Sequence, residues 1–183
     1  MKKVYLKNGG VAFVDDEDYE KVWGYEWYGI KGPSTTYVYT YNNKGRMLLM
    51  HRLIMDAPPD TVVDHRDHNG LNNCRENLRL CTHRQNSWNR KKRKKREHSW
   101  SPYRGVTVLP NGRYAVYMRV DDRTVYLGTF AEERDAALMY DAVARRTRGE
   151  FAALNFPDEH YSEEELQRRR NTRGGPKKAT ATT

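Results

Sequence analysis

The chain has 183 residues, 37% hydrophobic and 31% charged, which suits one ordinary domain or two small ones and argues against a single large core. Its 33 Lys and Arg against 24 Asp and Glu give a net charge of +9, a balance that favours a polyanionic partner. No apolar stretch is long enough to span a bilayer, and Cys74 and Cys81 are spaced for neither a disulfide framework nor a Cys-x-x-Cys zinc knuckle, so a membrane protein and a disulfide-stapled secreted scaffold are excluded in favour of a cytoplasmic protein with reduced thiols.

In chain order, Val4 to Leu6 and Val11 to Val14 read as strands joined by the turn signal Asn8-Gly9-Gly10. Asp15 to Asp18 supply an N-cap candidate and first-turn acids for a short helix ending near Trp23, which is expected to pack with Trp27. Tyr37, Tyr39 and Tyr41 alternate with Val38 and Thr40, placing three aromatic rings on one face of a strand that turns at Asn42 to Gly45 towards Met47 to Met50. Those rings can stack on nucleic acid or cover a small core, and covering a core is the commoner role of strand aromatics. His51 to Met55 reads as a short helix before the break at Pro58-Pro59, with His51 structural.

Next, Val62-Val63-Asp64-His65 reads as a strand, residues 66–73 as a loop rich in Asn, Asp and Gly, Leu78 to Cys81 as a second strand, and residues 82–89 as a helix capped by Thr82. Asp64, His65, Asn77 and Asn86 can together hold a metal ion and a general base against one phosphodiester. This order of elements and residues resembles the His-Asn-His (HNH) nuclease family over residues 1–92, and in particular its phage homing-endonuclease branch, which also has a preceding His-Arg-Leu-Ile segment. The resemblance implies a ββα-metal (His-Me finger) fold with its core at about residues 60–90. It implies metal ligation by Asp64 and Asn86, a general base at His65, and Asn77 holding the loop and orienting the His65 imidazole. The products implied are 5′-phosphate and 3′-hydroxyl ends. Asn86 stands where the named motif has histidine; the Asp-His, Asn, Asn version is a pattern of the phage branch and favours magnesium or manganese over zinc. His83, three residues before Asn86, reads as a solvated or capping residue, and Cys74, Cys81 and His68 lack the spacing of a zinc site.

Seven consecutive basic residues follow, Arg90, Lys91, Lys92, Arg93, Lys94, Lys95 and Arg96, suited to tracking a phosphate backbone. Residues 93–100 read as a basic linker. Ser101-Pro102 opens a second unit with strands over Tyr103 to Leu109, Arg113 to Val120 and Thr124 to Phe130, then a helix from Ala131 to Arg148. In the middle strand Tyr114, Val116 and Met118 share one face, while Arg113, Ala115, Tyr117 and Arg119 share the other. Tyr103-Arg104-Gly105-Val106, Tyr126-Leu127-Gly128-Thr129-Phe130, Ala136-Ala137, Tyr140-Asp141 and Leu154-Asn155-Phe156-Pro157 resemble the plant ethylene-response-factor (APETALA-type) DNA-binding domain over residues 101–157. That resemblance implies a small three-stranded antiparallel sheet packed on one helix and laid in the major groove. Arg104, Arg113, Tyr117, Arg119, Thr124 and Tyr126 are the expected DNA contacts. Thr107 and Leu109 stand where the plant proteins usually carry arginine, and Asn111 replaces a tryptophan, so the plant target sequence is not carried over. Residues 158–183 read as a charged, largely disordered tail, with a short helical stretch where Glu163 to Glu165 precede Arg168 to Arg170 and a disordered end.

The expectation is thus an α+β protein of two small modules: a metal-dependent, site-selective endonuclease acting on double-stranded DNA, as a monomer or weak homodimer, in the cytoplasm of a bacterium or phage-infected host. The competing reading is a catalytically inactive DNA-binding transcription regulator. RNA is disfavoured because a groove-reading sheet suits B-form better than A-form helices.

Overall fold

The structure is a computed structural model that describes residues 1–89 and 101–171. The basic run at Arg90 to Arg96, the rest of the linker and the chain end from residue 172 lie outside the described residues. The chain divides into two compact units, Met1–Lys91 and Lys92–Thr183. Both mix short helices with small antiparallel sheets, and no described helix is long and apolar enough to cross a membrane.

In the first unit β1 (Lys2–Tyr5) and β2 (Val11–Val14) form a hairpin whose turn needs the left-handed backbone of Gly9 and Gly10, at φ 92° and 100°. The four-residue helix α1 (Tyr19–Val22) differs in its start from the sequence expectation. Asp18 makes no side-chain cap; it is buried and accepts from Arg75 Nε at 2.6 Å and Nη2 at 2.7 Å, so its charge is matched across the fold rather than by the helix end. Trp23 and Trp27 also part company. Trp27 is 2% exposed, donating Nε1–H to the Val22 carbonyl, whereas Trp23 is 72% exposed.

The strands β3 (Tyr28–Lys31), β4 (Thr36–Tyr41) and β5 (Met47–Leu49) form an antiparallel sheet in that order. The alternation along β4 is as read: Val38 and Thr40 are buried, while on the other face Tyr37 and Tyr39 are half-buried, Tyr37 covering His51 and His65, and Tyr41 is exposed. There Tyr39 packs between Tyr28 and Tyr41 at ring separations of 5.8 and 5.7 Å. Val38 joins Ala12, Val14, Val22, Trp27, Met50 and Ile54 in a fully buried core, each large apolar side chain contributing about 1.5–3 kcal/mol on burial. Helix α2 (Met50–Ile54) sends Met50, His51 and Ile54 inward. Arg52, the next residue, donates to the carbonyls of Ala57, Pro58 and Thr61 and so fixes the segment entering β6 (Val62–His65).

β6 pairs antiparallel with β7 (Leu78–Cys81), and α3 (His83–Trp88) packs on both strands. The start of α3 is encoded locally, since Thr82 and Gln85 form a reciprocal capping box.

In the second unit β8 (Val106–Val108), β9 (Tyr114–Val120) and β10 (Arg123–Phe130) form a sheet in the order β10-β9-β8, and α4 (Glu133–Arg148) covers one face. Val106, Val116, Met118 and Phe130 meet Ala136, Ala137, Tyr140, Val143 and Ala144 of that helix. The first strand is shorter than expected because Tyr103 and Arg104 precede a left-handed Gly105 at φ 77°. A Cβ on Gly105 would sit 2.0 Å from Tyr140 Cδ2 and 2.8 Å from the Tyr117 carbonyl oxygen. Gly105→Ala is therefore expected to destabilise this unit by about 1–3 kcal/mol through overpacking. A urea melt followed by circular dichroism checks it; an unchanged midpoint means that the Tyr140 ring and the Tyr117 backbone both yield freely.

The Leu154-Asn155-Phe156-Pro157 motif closes the unit by hydrogen bonding. Asn155 Oδ1 accepts from the Arg104 N–H at 2.6 Å, and buried Asp141 accepts from the N–H groups of Asn155 and Phe156. The short helical stretch expected in the charged tail is present, and it is docked on the unit. Helix α5 (Glu163–Asn171) packs on α4, with Leu166 fully buried in the core and a Ser162–Glu165 capping box at its start.

Candidate active site

Strand alternation along β6 sends Asp64 and His65 to opposite sides of the β6–β7 hairpin. Asp64 is 7% exposed. Its Oδ2 accepts from its cross-strand neighbour Arg79, at 2.9 Å from Nε and 2.7 Å from Nη2. Asn89, immediately after α3, donates Nδ2–H to Oδ2 at 2.9 Å, to Oδ1 at 3.2 Å and to the His65 carbonyl at 3.3 Å. Asp64 therefore ties both strands of the hairpin to the end of the helix.

His65 is 5% exposed, and its Nε2 is buried without a hydrogen-bond partner. Burial lowers its pKa from the ordinary histidine value, while the Asn73 amide and the carboxylates of Asp67 and Asp64 pull the other way. The ring lies among aromatic neighbours: His51 edge-on at 5.0 Å and Tyr37 at 6.0 Å between centroids. A lowered pKa favours the neutral imidazole, the form that can accept a proton.

The loop between the strands is braced by its own side chains. The Asp67 N–H donates to Asn77 Oδ1 at 3.0 Å, while Asn77 Nδ2 donates to Asp67 Oδ1 at 2.9 Å and to the Asn72 carbonyl at 2.8 Å. Burial alone would raise the Asp67 pKa, but the Asn69 N–H and the Asn72 and Asn77 amides outweigh it and leave the carboxyl below its usual range. The loop docks on the rest of the unit through Asn73, whose N–H donates to the Phe13 carbonyl, and through Gly70, whose N–H donates to Thr35 Oγ1.

Set against the sequence expectation, the structure brings Asp64, His65 and Asn77 into one hairpin, with two differences in detail. Asn77 holds the loop but makes no hydrogen bond to the imidazole; Asn73 is the amide beside that ring. The amide that reaches Asp64 is Asn89, one helical turn beyond Asn86, whose half-buried side chain has no bond to Asp64. Arg79, Asn73, Asn89 and His51 were not read as site residues. The available signals were a charge inside the apolar stretch Leu78-Arg79-Leu80 and the repeat of Asn at 86 and 89.

Among the described residues no three His, Cys, Asp or Glu side chains gather as a metal site. A ligand set here has to include amides, and Asp64 Oδ1 is the carboxylate oxygen with room, because its one hydrogen bond is the longer contact to Asn89. Carboxylate and amide oxygens are the donors that hard divalent ions take, so the residues fit magnesium or manganese in kind. Cys74 and Cys81 do not extend the set: both thiols are free and buried, and burial pushes Cys74 up to about 11 and Cys81 upward as well.

A family model described as HNH endonuclease matches residues 49–88, the stretch from α2 through α3. An uncharacterised HNH endonuclease of Acanthamoeba polyphaga mimivirus is 34% identical over 156 residues, covering 82% of this chain and 77% of the viral protein. The chain belongs to the HNH endonuclease family. It is a nuclease acting on DNA, and HNH nucleases generally work with a divalent metal ion. Shorter matches point to plant proteins. An AP2/ERF and B3 domain-containing protein of Oryza sativa is 46% identical over 66 residues, 36% of this chain and 18% of the rice protein. Ethylene-responsive transcription factor 3 of Nicotiana tabacum is 47% identical over 57 residues, 30% of this chain and 25% of that protein.

The second unit carries the other expected contacts. Tyr117 and Tyr126 are cross-strand partners on the face away from α4, with rings 5.5 Å apart, and Arg119 is paired with Thr124 in the same way. All four are exposed. Arg113 is half-buried, its Nη2 reaching the Thr129 carbonyl at 3.4 Å, and Arg104 is half-buried at the head of the sheet.

Proposed function

We propose that this HNH endonuclease is a metal-dependent, site-selective enzyme of the homing type, with β6, β7 and α3 forming a ββα-metal unit and the second unit choosing the DNA site. The observation that carries the cutting half is the buried His65, its pKa lowered by that burial, backed onto the Asp64 carboxylate and set beside a loop that Asn77 braces. In this reading His65 takes the proton from the attacking water, and Asn77 keeps the loop, and with it the imidazole, in place. Asp64 and Asn86 would hold the magnesium or manganese ion, with Asn89 aligning the carboxylate. When bound, the ion supplies charge stabilisation for the leaving 3′ oxygen, giving 5′-phosphate and 3′-hydroxyl ends. One such site cuts one strand, so a monomer nicks and a double-strand break takes a weak homodimer or a second visit.

The site-choosing half is supported by the exposed pairs Tyr117–Tyr126 and Arg119–Thr124 on the open sheet face, by Arg104 and Arg113 beside them, and by the plant matches. Arginines there can read guanine edges or clamp phosphate, and the tyrosines can meet sugar and base edges. The ethylene-response-factor likeness of residues 101–157 belongs to the same proposal. So do the role of Arg90, Lys91, Lys92, Arg93, Lys94, Lys95 and Arg96 as a sequence-independent phosphate tether, and the cytoplasm of a bacterium or phage-infected host as the setting. The rival reading, a DNA-binding regulator whose nuclease fold is silent, draws on the Arg79 and Asn89 bonds that occupy Asp64.

Supercoiled plasmid and fragmented genomic DNA, treated with the full chain in magnesium, manganese or EDTA, test both halves. Metal-dependent relaxed circles and sequenced ends that cluster at one site are expected, with clustering weakened by Arg119→Ala while nicking persists. Sequence-dependent binding with no cleavage in either metal would favour the regulator, and unclustered ends would remove the site-choosing role.

A further inference from the structure

Helix α5 lies beyond residues 101–157, the stretch that resembles the plant domain, and the proposed function gives it no task. Charge pairs with α4 set its direction. Arg146 Nε donates to Glu163 at 2.6 Å near the end of α4, and Arg169 Nη1 donates to Asp135 at 2.9 Å near its start, so the two helices run antiparallel. Leu166, fully buried, anchors the middle. The acidic first turn, Glu163 to Glu165, is thereby set at one end of α4, and the basic last turn, Arg168 to Arg170, at the other, next to the close of β10.

There Arg170 reaches the edge strand of the sheet, β10. Leu127 is the extra residue of a β-bulge: Tyr126 pairs with Tyr117, and Gly128 with Val116. Gly128 is buried and has a φ of 142°, backbone that favours glycine, and a Cβ on it would come within 3.2 Å of Arg170 Cδ and 3.3 Å of Nε. The missing side chain leaves a notch for the arginine stem. Past that notch the guanidinium carbon stands 5.9 Å from the centre of the Tyr126 ring, which in turn packs on Tyr117 on the open sheet face. Unlike Arg146 and Arg169, Arg170 has no carboxylate partner among the described residues; Nη1 donates to Gln167 Oε1 at 3.3 Å. A guanidinium carries five N–H donors in one plane, and stacking against an aromatic ring steadies that plane while its edge remains able to take a phosphate bidentately.

We propose that Arg170 binds a DNA phosphate, and that α5 extends the reading face past the edge of the sheet, from Tyr117 and Tyr126 to the sugar-phosphate backbone beside the groove. The proposal rests on the second unit meeting DNA through that face. Side chains in the middle of the sheet point into the groove, so the backbone alongside has to be met by groups at the sheet margin, where the Gly128 notch puts Arg170. A contact of this kind fixes register and adds affinity without reading sequence. The other charges of α5 serve to hold it: Glu163 and Arg169 are matched on α4, and Arg170 is the cation left facing the edge of the tyrosine pair.

The test measures binding of the full chain to a fluorescein-labelled duplex DNA of mixed sequence, by anisotropy over a range of salt, in EDTA so that no strand is cut. Arg170→Met keeps the stem that lies on Gly128 and removes the charge and the donors. One phosphate contact contributes about 0.9 to the slope of log K against log salt, so the slope is expected to fall by about that much in Arg170→Met, and its deficit in affinity to shrink about 3.5-fold between about 50 and 200 mM salt. Arg170→Lys keeps the charge and is expected to keep the wild-type slope. The deficit of Arg170→Met should be the same for duplexes of different sequence, as a backbone contact requires. A purely structural arginine would lower the urea midpoint and leave the slope alone; a wild-type slope in Arg170→Met overturns the proposal. Should that variant fold poorly, the wild-type chain still decides. Added duplex is expected to protect Arg170 from phenylglyoxal, read by mass spectrometry, and equal modification with and without DNA overturns the proposal. Weaker binding in Arg119→Ala together with a wild-type slope in Arg170→Met removes Arg170 and leaves the role of the sheet standing, whereas wild-type binding in both variants removes the DNA face as a whole.

Discussion

His65→Ala is expected to lower the rate of plasmid nicking about 10²- to 10⁴-fold, the usual contribution of a positioned general base. The imidazole is buried at the end of β6, and among the described histidines His51 is the one whose ring packs against it. The loss should fall on kcat, because in the proposed mechanism the residue acts on the water and DNA binding is the task of the second unit. His65→Gln, which keeps polarity and approximate size without an equivalent base, should be nearly as slow. The pH profile gives a second check. Burial lowers the folded pKa of His65 from the ordinary value of 6.5, so the base stays unprotonated, and wild-type activity is expected to persist, below the pH at which a free histidine would be half protonated. An acid limb lying above pH 6.5, or an Ala variant within a factor of two of wild type, would take His65 out of the mechanism.

Features set by neighbours in the chain were legible in the sequence. The Thr82–Gln85 capping box, the glycine turn before β2 and the alternating faces of β9 all depend on residues within a few positions of each other. Strand period was also readable in β4, but which face met the core was not. Three tyrosines look like core until Val38 is placed with Trp27 and Met50, a juxtaposition decided by the whole unit. The same limit hid Asn89, 25 residues from Asp64, and Arg79, 15 residues from it across the hairpin. Helix α5 was legible as a short helical stretch, but its docking on the core was not. Ser162 and Glu165 are a capping-box pair in plain view, but the single Leu166 amid charged residues looked too little to bury, and it is the whole of that helix's grip on the core.

Arg79 offers the largest expected change in stability. Its guanidinium and the Asp64 carboxylate are both buried, with side chains 6% and 8% exposed, and they are joined by two charge-assisted bonds. Such a pair adds little over a well-packed apolar pair, but removing one member leaves the other charge in a poorly solvating interior, at about 3–5 kcal/mol. Arg79→Met is therefore expected to lower the unfolding free energy of the first unit by about that amount in EDTA, read by urea denaturation. Most of the loss should be recovered in the Arg79→Met, Asp64→Leu double variant, which removes both charges. The single variant should also respond to magnesium or manganese more than wild type does. With Arg79 gone, a bound cation becomes the main compensation for Asp64, and an ion at a hundred times its dissociation constant stabilises the fold by ~2.7 kcal/mol. Asp64→Asn should lose that response. If metal protects Asp64→Asn as well as Arg79→Met, Asp64 is not a ligand; if Arg79→Met melts like wild type, the buried pair is not what joins β6 to β7. Recovery of stability in the double variant and a metal response that needs Asp64 would together separate the two carboxylate oxygens, Oδ2 bonded to Arg79 and Oδ1 the proposed ligand.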